Sequence, residues 1–281
     1  MQKHPLISVI IATKNNAETL QRCIDSIIHQ TYLHKELIIM DGDSSDETCG
    51  LLKKNDKNIA YWESKPDRGI AHAWNKALLH TKGDWILFLG ADDYLAQLTV
   101  FEKFNKRMTN HPIDDSRIAY GLLKQFTPAG DYLRTLGAHW SLLRRDFFSG
   151  TMKIPHPACF HHQSVFNDFG IFDEQFKIAF DYEFLLRILK NENAYFLGDI
   201  VITHMTFGGI SSSLNSLLAV QNEAEHANRL HGFTPKYFKR LINIFIYKII
   251  LLLSKSGYAR IAARILDFIR LLSGKDRLWT K

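Results

Sequence analysis

An α/β fold built on a doubly wound, mainly parallel sheet is predicted by three features of this 281-residue chain. Short apolar, β-branched runs recur through the first hundred residues, as in strands buried on both faces. Segments with helical spacing alternate with them, the order expected of parallel strands joined by crossover helices. Several runs end in polar clusters, and sheets of this kind bind ligands beyond the carboxyl ends of their strands.

Each element follows from its residues. Ile7–Ala12 (ISVIIA) reads as the first strand, Thr13 to Asn16 as a polar loop, and Ala17–Gln30 as a helix with Leu20, Ile24, Ile27 and Ile28 on one face. Glu36–Met40 (ELIIM) is a second strand, closed by the Asp-, Gly- and Ser-rich DGDSSDET. A short helix over Asp46–Lys54 and a strand over Ile59–Ser64 follow. PDRG breaks the chain before a helix at Ile70–His80, WILFL forms a fourth strand, and Leu98–Met108 another helix. Beyond residue 112 the alternation fades. IAYGLLKQF and TPAGDYL read as a hairpin, IPHPACFHHQSVF as an irregular loop, Tyr182–Leu189 as an amphipathic helix and AYFLGDIVITHM as further strand. Three parts are expected: 1–111, 112–235 and a tail over 236–281.

Composition narrows the function. At 46% hydrophobic and 23% charged residues the chain is an ordinary globular one. Cys23, Cys49 and Cys159 lie far apart, which excludes a disulfide framework or zinc ribbon and suits a reducing compartment. The opening stretch reads as strand, not secretory leader, and no window carries the roughly 20 apolar residues of a membrane span. The net charge of +6 resides in the tail, where 11 Lys/Arg face only Asp267 and Asp276. The remainder is slightly acidic, so the basic balance points to no nucleic-acid partner for the main body. The tail combines Ile242, Phe245, Ile246, Ile249, Ile250 and Leu253 with that basic surplus. Its longest apolar-dominated run, Leu241–Leu253, is too short to span a membrane and fits a basic amphipathic helix lying on an anionic leaflet; packing on the main body or dimerisation are its alternatives.

The chemistry concentrates at the strand ends. WILFLGADDY sets Asp92 beside Asp93, and neighbouring carboxylates repel unless a cation attends them. Mg²⁺ or Mn²⁺ takes one or two carboxylates plus substrate phosphates, and an ordinary Asx turn is the competing explanation. Asp41 ends the second strand and can accept from a ribose hydroxyl or a base N–H. Asp67 and Arg68 precede a helix N-terminus, which attracts phosphate. Asp181 opens a helix, as a general base or as an acid favoured by the helix dipole. His156, His161 and His162 lack zinc spacing; with Gln163 they contact a polar ligand or pack, and His204 is a candidate metal or phosphate contact.

In order and spacing, SVIIATKNNAETLQRCIDSIIHQTY, ELIIMDGDSSDET, PDRGIAHAWNKAL…KGDWILFLGADD and GIFDEQFKIAFDYEFLLRI resemble the family 2 glycosyltransferases, inverting enzymes of the GT-A fold, over residues 6–213. The resemblance implies a GT-A, Rossmann-like sheet with a C-terminal helical extension, its first part binding the donor and its second the acceptor. It implies that Thr13 and Asp41 contact the base, that Asn15, Asp67, Arg68 and Asp92 serve the nucleotide, and that Asp93, with Asp92, holds Mn²⁺ or Mg²⁺ on the diphosphate. Asp181 would deprotonate the acceptor hydroxyl, with His156 and Gln163 on the acceptor side. Two departures stand out: Phe180 precedes Asp181 where an acid is usual, and Ala71 and His72 follow the PD-x-G turn. The implied partners are a nucleotide-diphosphate sugar, a saccharide or lipid-linked acceptor and the inner face of the cytoplasmic membrane, in bacterial surface-polysaccharide assembly. A nucleotidyltransferase is the rival enzyme, though TKNNAET lacks the Gly-rich loop it needs; a non-catalytic scaffold of the same fold is the third reading.

Overall fold

The computed structural model describes residues 4–109, 116–209 and 216–234, the helix over 259–272 and scattered positions elsewhere in the tail. Four parallel strands form first. β1 (Ile7–Thr13) lies between β2 (Lys35–Asp41) and β4 (Trp85–Gly90), and β3 (Tyr61–Ser64) extends the edge beyond β2. The crossovers are α1 (Ala17–Ile28), α2 (Thr48–Lys54) and α3 (Ile70–Leu78). The strands are continuously apolar because both faces are covered. In β1, Ile10 joins one core with Ile38, Phe88 and Trp74, while Val9 and Ile11 join another with Leu20, Ile24 and Ile39.

The rest completes a nine-stranded mixed sheet in the order β3-β2-β1-β4-β8-β6-β9-β5, with β7 on β6. After the two-residue β5 (Tyr94–Leu95) and α4 (Val100–Thr109), β6 (Ile118–Phe126) and β7 (Tyr132–Leu136) form the expected antiparallel pair. α5 (Trp140–Phe147) leads to β8 (Cys159–His162), antiparallel to both β4 and β6. The stretch expected as an irregular loop therefore contains a strand. Its histidines disguise it: His161 is fully buried among Phe88, Phe166 and Phe184, and burial pushes its pKa down to about 4, so a neutral ring packs as an aromatic. α6 (Ser164–Phe169), α7 (Phe180–Leu189), the long β9 (Ala194–Thr206) and α8 (Leu217–Leu230) follow. β9 runs parallel to β6 and antiparallel to β5.

The amphipathic run expected over Leu241–Leu253 falls in part outside the described residues, Ile242 and Phe245 among them. Where the tail is described, α9 (Ala259–Leu272) buries Ala262 and Leu266 in a small cluster with Ile250, against which Leu217 of α8 packs. Its other side exposes Ile261, Phe268 and Leu271 beside Arg260 and Arg264. Among the described residues no helix is long and apolar enough to cross a membrane.

The parallel half depends on a close approach at Gly83. A Cβ there would stand 2.4 Å from Ser8 Oγ and 2.6 Å from Ser8 N, while the Gly83 amide donates to that same hydroxyl at 2.9 Å. Gly83→Ala is expected to cost about 1–3 kcal/mol, the usual penalty of overpacking. Urea unfolding would measure it, and an unchanged midpoint would refute the packing argument.

Candidate active site

β1 and β4 end side by side, and the loops leaving them open a cavity of about 950 Å³, within the range of small-molecule sites. One wall carries Thr13, Lys14 and Asn16 after β1, Asp92 and Asp93 after β4, and Asp67 with the N-terminus of α3 at Gly69 and Ile70. The facing wall carries Thr151 and Met152, residues 177–182 around the start of α7, and Leu217, Val220, Gln221 and Ala224 of α8. Trp74 of α3 also lines it, packed behind by Phe88, Phe172, Phe180 and the stacked ring of His156.

The carboxylate pair folds back over its own strand because Gly90 leaves room. A Cβ at Gly90 would lie 2.8 Å from Asp92 Oδ1 and 3.1 Å from Asp93 Oδ2. Asp93 is only 4% exposed; its Oδ2 accepts weakly from the Gly90 amide at 3.4 Å, and its Oδ1 is buried with no hydrogen-bond partner. Burial foremost, and then the charge of Asp92, raise its pKa well above the carboxylate range; the Gly90 amide and Arg22 pull the other way. Arg22, lying 4.3 Å over the Tyr94 ring, spends a donor on the Asp92 carbonyl at 3.1 Å. A divalent ion suits this pair, since it would compensate a buried charge that the protein leaves without one. Among the described residues no group of three or more His, Cys, Asp and Glu converges, so the carboxylate pair stands alone as the candidate protein ligands there.

Across the cavity Asp181 occupies the first turn of α7, where its carboxylate accepts from the Tyr182 amide at 2.7 Å. Burial pushes its pKa up to about 6; that amide opposes the rise and the charge of Glu223 adds to it. Glu223 itself was not legible as a site residue. Its carboxylate accepts the amides of Lys177, Ile178 and Ala179, yet in the sequence it is one more polar residue on an amphipathic helix.

Other expected contacts stand differently. Asp41 is 1% exposed and outside the cavity wall; it accepts from Ser44 N at 3.0 Å, Ser64 Oγ at 2.5 Å and the Ser44 hydroxyl. Asn15, at φ 53°, accepts from Ser45 N at 2.8 Å, so both residues shape the loops after β1 and β2 while Lys14 and Asn16 face the cavity. Asp67 caps Gly69 N at 2.9 Å, and Gly69 takes φ 124°, a region open to glycine. Arg68 is drawn away into an exposed pair with Glu174 at 2.7 Å.

Three expectations are corrected. His156 is 4% exposed and buried behind Trp74, so it supports the wall and offers nothing to an acceptor. Gln163 bonds through its amide to Asp84 O at the start of β4, at the opposite end of the strand from Asp92 and Asp93. His204 precedes cavity-lining Met205 in β9 and points to the other face, against Tyr94 and Phe126.

The family model described as Glycosyl transferase family 2 matches residues 8–168, more than half of the chain. The chain belongs to that family. A PGL/p-HBAD biosynthesis glycosyltransferase of Mycobacterium bovis is 27% identical over 216 residues, 75% of this chain and 80% of that one. Among solved structures, S. aureus TarS 1–349 in complex with UDP superposes with a TM-score of 0.61 at 18% identity over 85% of this chain and 69% of that one. The chain covers 44% of the longer TarS chain. The mannosyltransferase PcManGT of Pyrobaculum calidifontis, in complex with GDP-Man and Mn²⁺, gives 0.59 at 17% over 92% and 73%. The protein is a glycosyltransferase with the GT-A fold.

The unpartnered Asp93 makes a testable demand on stability. Its native pKa lies above the unfolded value near 3.9, so the native state holds its proton more tightly and that stabilisation is lost as pH rises above about 4. In metal-free buffer, Asp93→Asn should lose less thermal stability than the wild type as pH rises from about 4. Parallel melting curves for the two proteins would show Asp93 to be compensated within the chain.

Proposed function

We propose that this glycosyltransferase moves a sugar from a nucleotide-diphosphate donor to an acceptor hydroxyl with inversion, in bacterial surface-polysaccharide or glycolipid assembly. The observation that carries the reading is one cavity with a carboxylate pair on one wall and Asp181, raised to about 6, on the other. The donor is read as a UDP-sugar from the likeness to the TarS complex with UDP, with GDP as the competing nucleotide. Thr13, Asn16 and Asp67 are the candidate nucleoside contacts, and Lys14 with the N-terminal amides of α3 the candidate phosphate contacts.

Asp93, with Asp92, would hold Mn²⁺ or Mg²⁺. The chemistry supplied there is neutralisation of the diphosphate as it leaves. The chain's own part is proton transfer and placement. Asp181 takes the proton of the acceptor hydroxyl as that oxygen bonds to the sugar C1; the bond from C1 to the diphosphate oxygen breaks on the opposite face, and the nucleoside diphosphate departs with the electron pair. A carboxylate with a pKa near 6 is ionised at neutral pH yet basic enough to be useful. The apolar wall of Trp74, Phe180 and Met152 limits water, the competing nucleophile.

The outward side of α9, with Ile261, Phe268 and Leu271 beside Arg260 and Arg264, suits an anionic lipid surface at the inner leaflet. A lipid-linked acceptor fits that placement. At about 1 kcal/mol per basic residue, Arg260→Ala with Arg264→Ala should lower partition to phosphatidylserine vesicles roughly thirtyfold. Equal sedimentation of wild type with anionic and with neutral vesicles would sink the membrane reading.

Calorimetry with UDP and GDP, with and without Mn²⁺, tests the site. One nucleotide should bind in a metal-dependent way to the wild type and fail to bind Asp93→Ala, whose circular dichroism stays native. Asp181→Asn should keep that binding and lose transfer by about 10²–10⁴-fold, the range of general-base contributions. Undiminished transfer by Asp181→Asn would remove it as the base.

A further inference from the structure

Glu223 lies in α8, and its side chain reaches the loop that delivers the polypeptide into α7. Its Oε1 accepts from Lys177 N at 3.1 Å, and its Oε2 from Ile178 N at 2.9 Å and Ala179 N at 2.8 Å. Ala179 is the N-cap position of α7 and no side-chain cap exists there, so these amides have no partner inside the helix. One carboxylate from a separate helix satisfies three consecutive donors, each a charge-assisted bond. Asp181 follows two residues later.

We propose that Glu223 is the positioning residue for Asp181, holding the loop before it through three amides and presenting a fixed negative charge to it across the α7–α8 contact. This rests on the reading of Asp181 as the acceptor base. The loop bonds fix where the carboxylate stands, and the charge makes its ionised form harder to reach, keeping Asp181 a stronger base than its partial burial alone would.

Among the described residues no other group near Asp181 does the same. Lys177, on the loop itself, is exposed and spends its ammonium on Glu174 O at 2.9 Å. Glu183 in α7 is taken up by Arg187 and His231. Cys159 of β8 is buried with its thiol pushed up, first by burial and then by Asp181, so it stays neutral. Asp92 and Asp93 belong to the wall at the end of β4, and Glu225 pairs with Arg229 within α8.

The test titrates Asp181 directly, by carboxyl ¹³C NMR of the full-length protein labelled at aspartate, with the resonance assigned by its loss in Asp181→Asn. The wild-type midpoint is expected near 6 and that of Glu223→Gln lower by a small step, because burial dominates the shift and the isostere keeps an accepting oxygen while losing the charge. Glu223→Ala should also speed hydrogen exchange at the 177–179 amides and, by misplacing the base, slow transfer by up to about 100-fold. Metal-dependent UDP binding should persist in both variants, which separates a displaced base from an unfolded protein. An unchanged midpoint in Glu223→Gln, or unchanged exchange in Glu223→Ala, would overturn the proposal. Transfer surviving in Asp181→Asn would overturn the base reading instead, and the two failures are read in different proteins.

Discussion

The whole site is organised around a charge that the protein does not satisfy by itself. Asp93 has a buried oxygen with no donor, a neighbour of like charge, and one weak amide in compensation. Arg22, whose charge acts on Asp93, has a donor committed to a carbonyl and its plane to Tyr94. Natural chains rarely leave a buried carboxylate in this state without a reason, because desolvation alone is costly. The glycine before the pair makes matters tighter, since it lets both carboxylates bend over the strand end, closer to each other and to the cavity. Stability has been traded for an uncompensated carboxylate beside a cavity of about 950 Å³.

That carboxylate pair lies where the topology directs a ligand. β1 is flanked by β2 on one side and β4 on the other, so the connections leaving β1 and β4 pass to different parts of the sheet and leave a crevice between. β8 then enters antiparallel beside β4 and turns the second half of the chain back over the same edge. The cavity lining therefore comes from distant parts of the sequence.

Legibility follows the same division. The parallel half was readable because strands buried on both faces and crossover helices leave strong, short-range periodicities: Ile7–Thr13, Lys35–Asp41 and Trp85–Gly90 appear within a residue or two of their apolar runs. Asp92 and Asp93 were readable because their proximity is written in the chain. β8 was not, since His161 and His162 mimic a polar loop while one of them packs as a neutral aromatic. His156 and His204 invited ligand roles because histidine chemistry is visible in a sequence and the direction of a side chain is not. Asp41 has the residue type for a base contact, but Ser44 and Ser64 claim its oxygens through a loop geometry that no spacing rule encodes.

The region around Asp181 was the least legible part, and the reason is physical. Asp181 could be marked as a helix-opening acid, a position equally explained by the helix dipole. What separates the two explanations is its environment: a cap made by amides alone would lower a carboxylate's proton affinity, whereas this one is raised. The difference comes from burial under the α7–α8 contact and from Glu223, 42 residues further on in the chain. Glu223 does for the loop what the missing neighbour of Asp181 could not. Phe180, standing where an acid is usual, packs edge-on against Trp74 and lines the cavity, and a negative charge reaches Asp181 from Glu223 of α8 instead. The Glu223 charge reaches Asp181 from a second helix, so its effect on that carboxylate depends on the packing of α8. Leu217, at the start of the same helix, is where the tail's apolar cluster meets the cavity wall, so the surface that α9 rests on and the helix that tunes Asp181 are one structural unit.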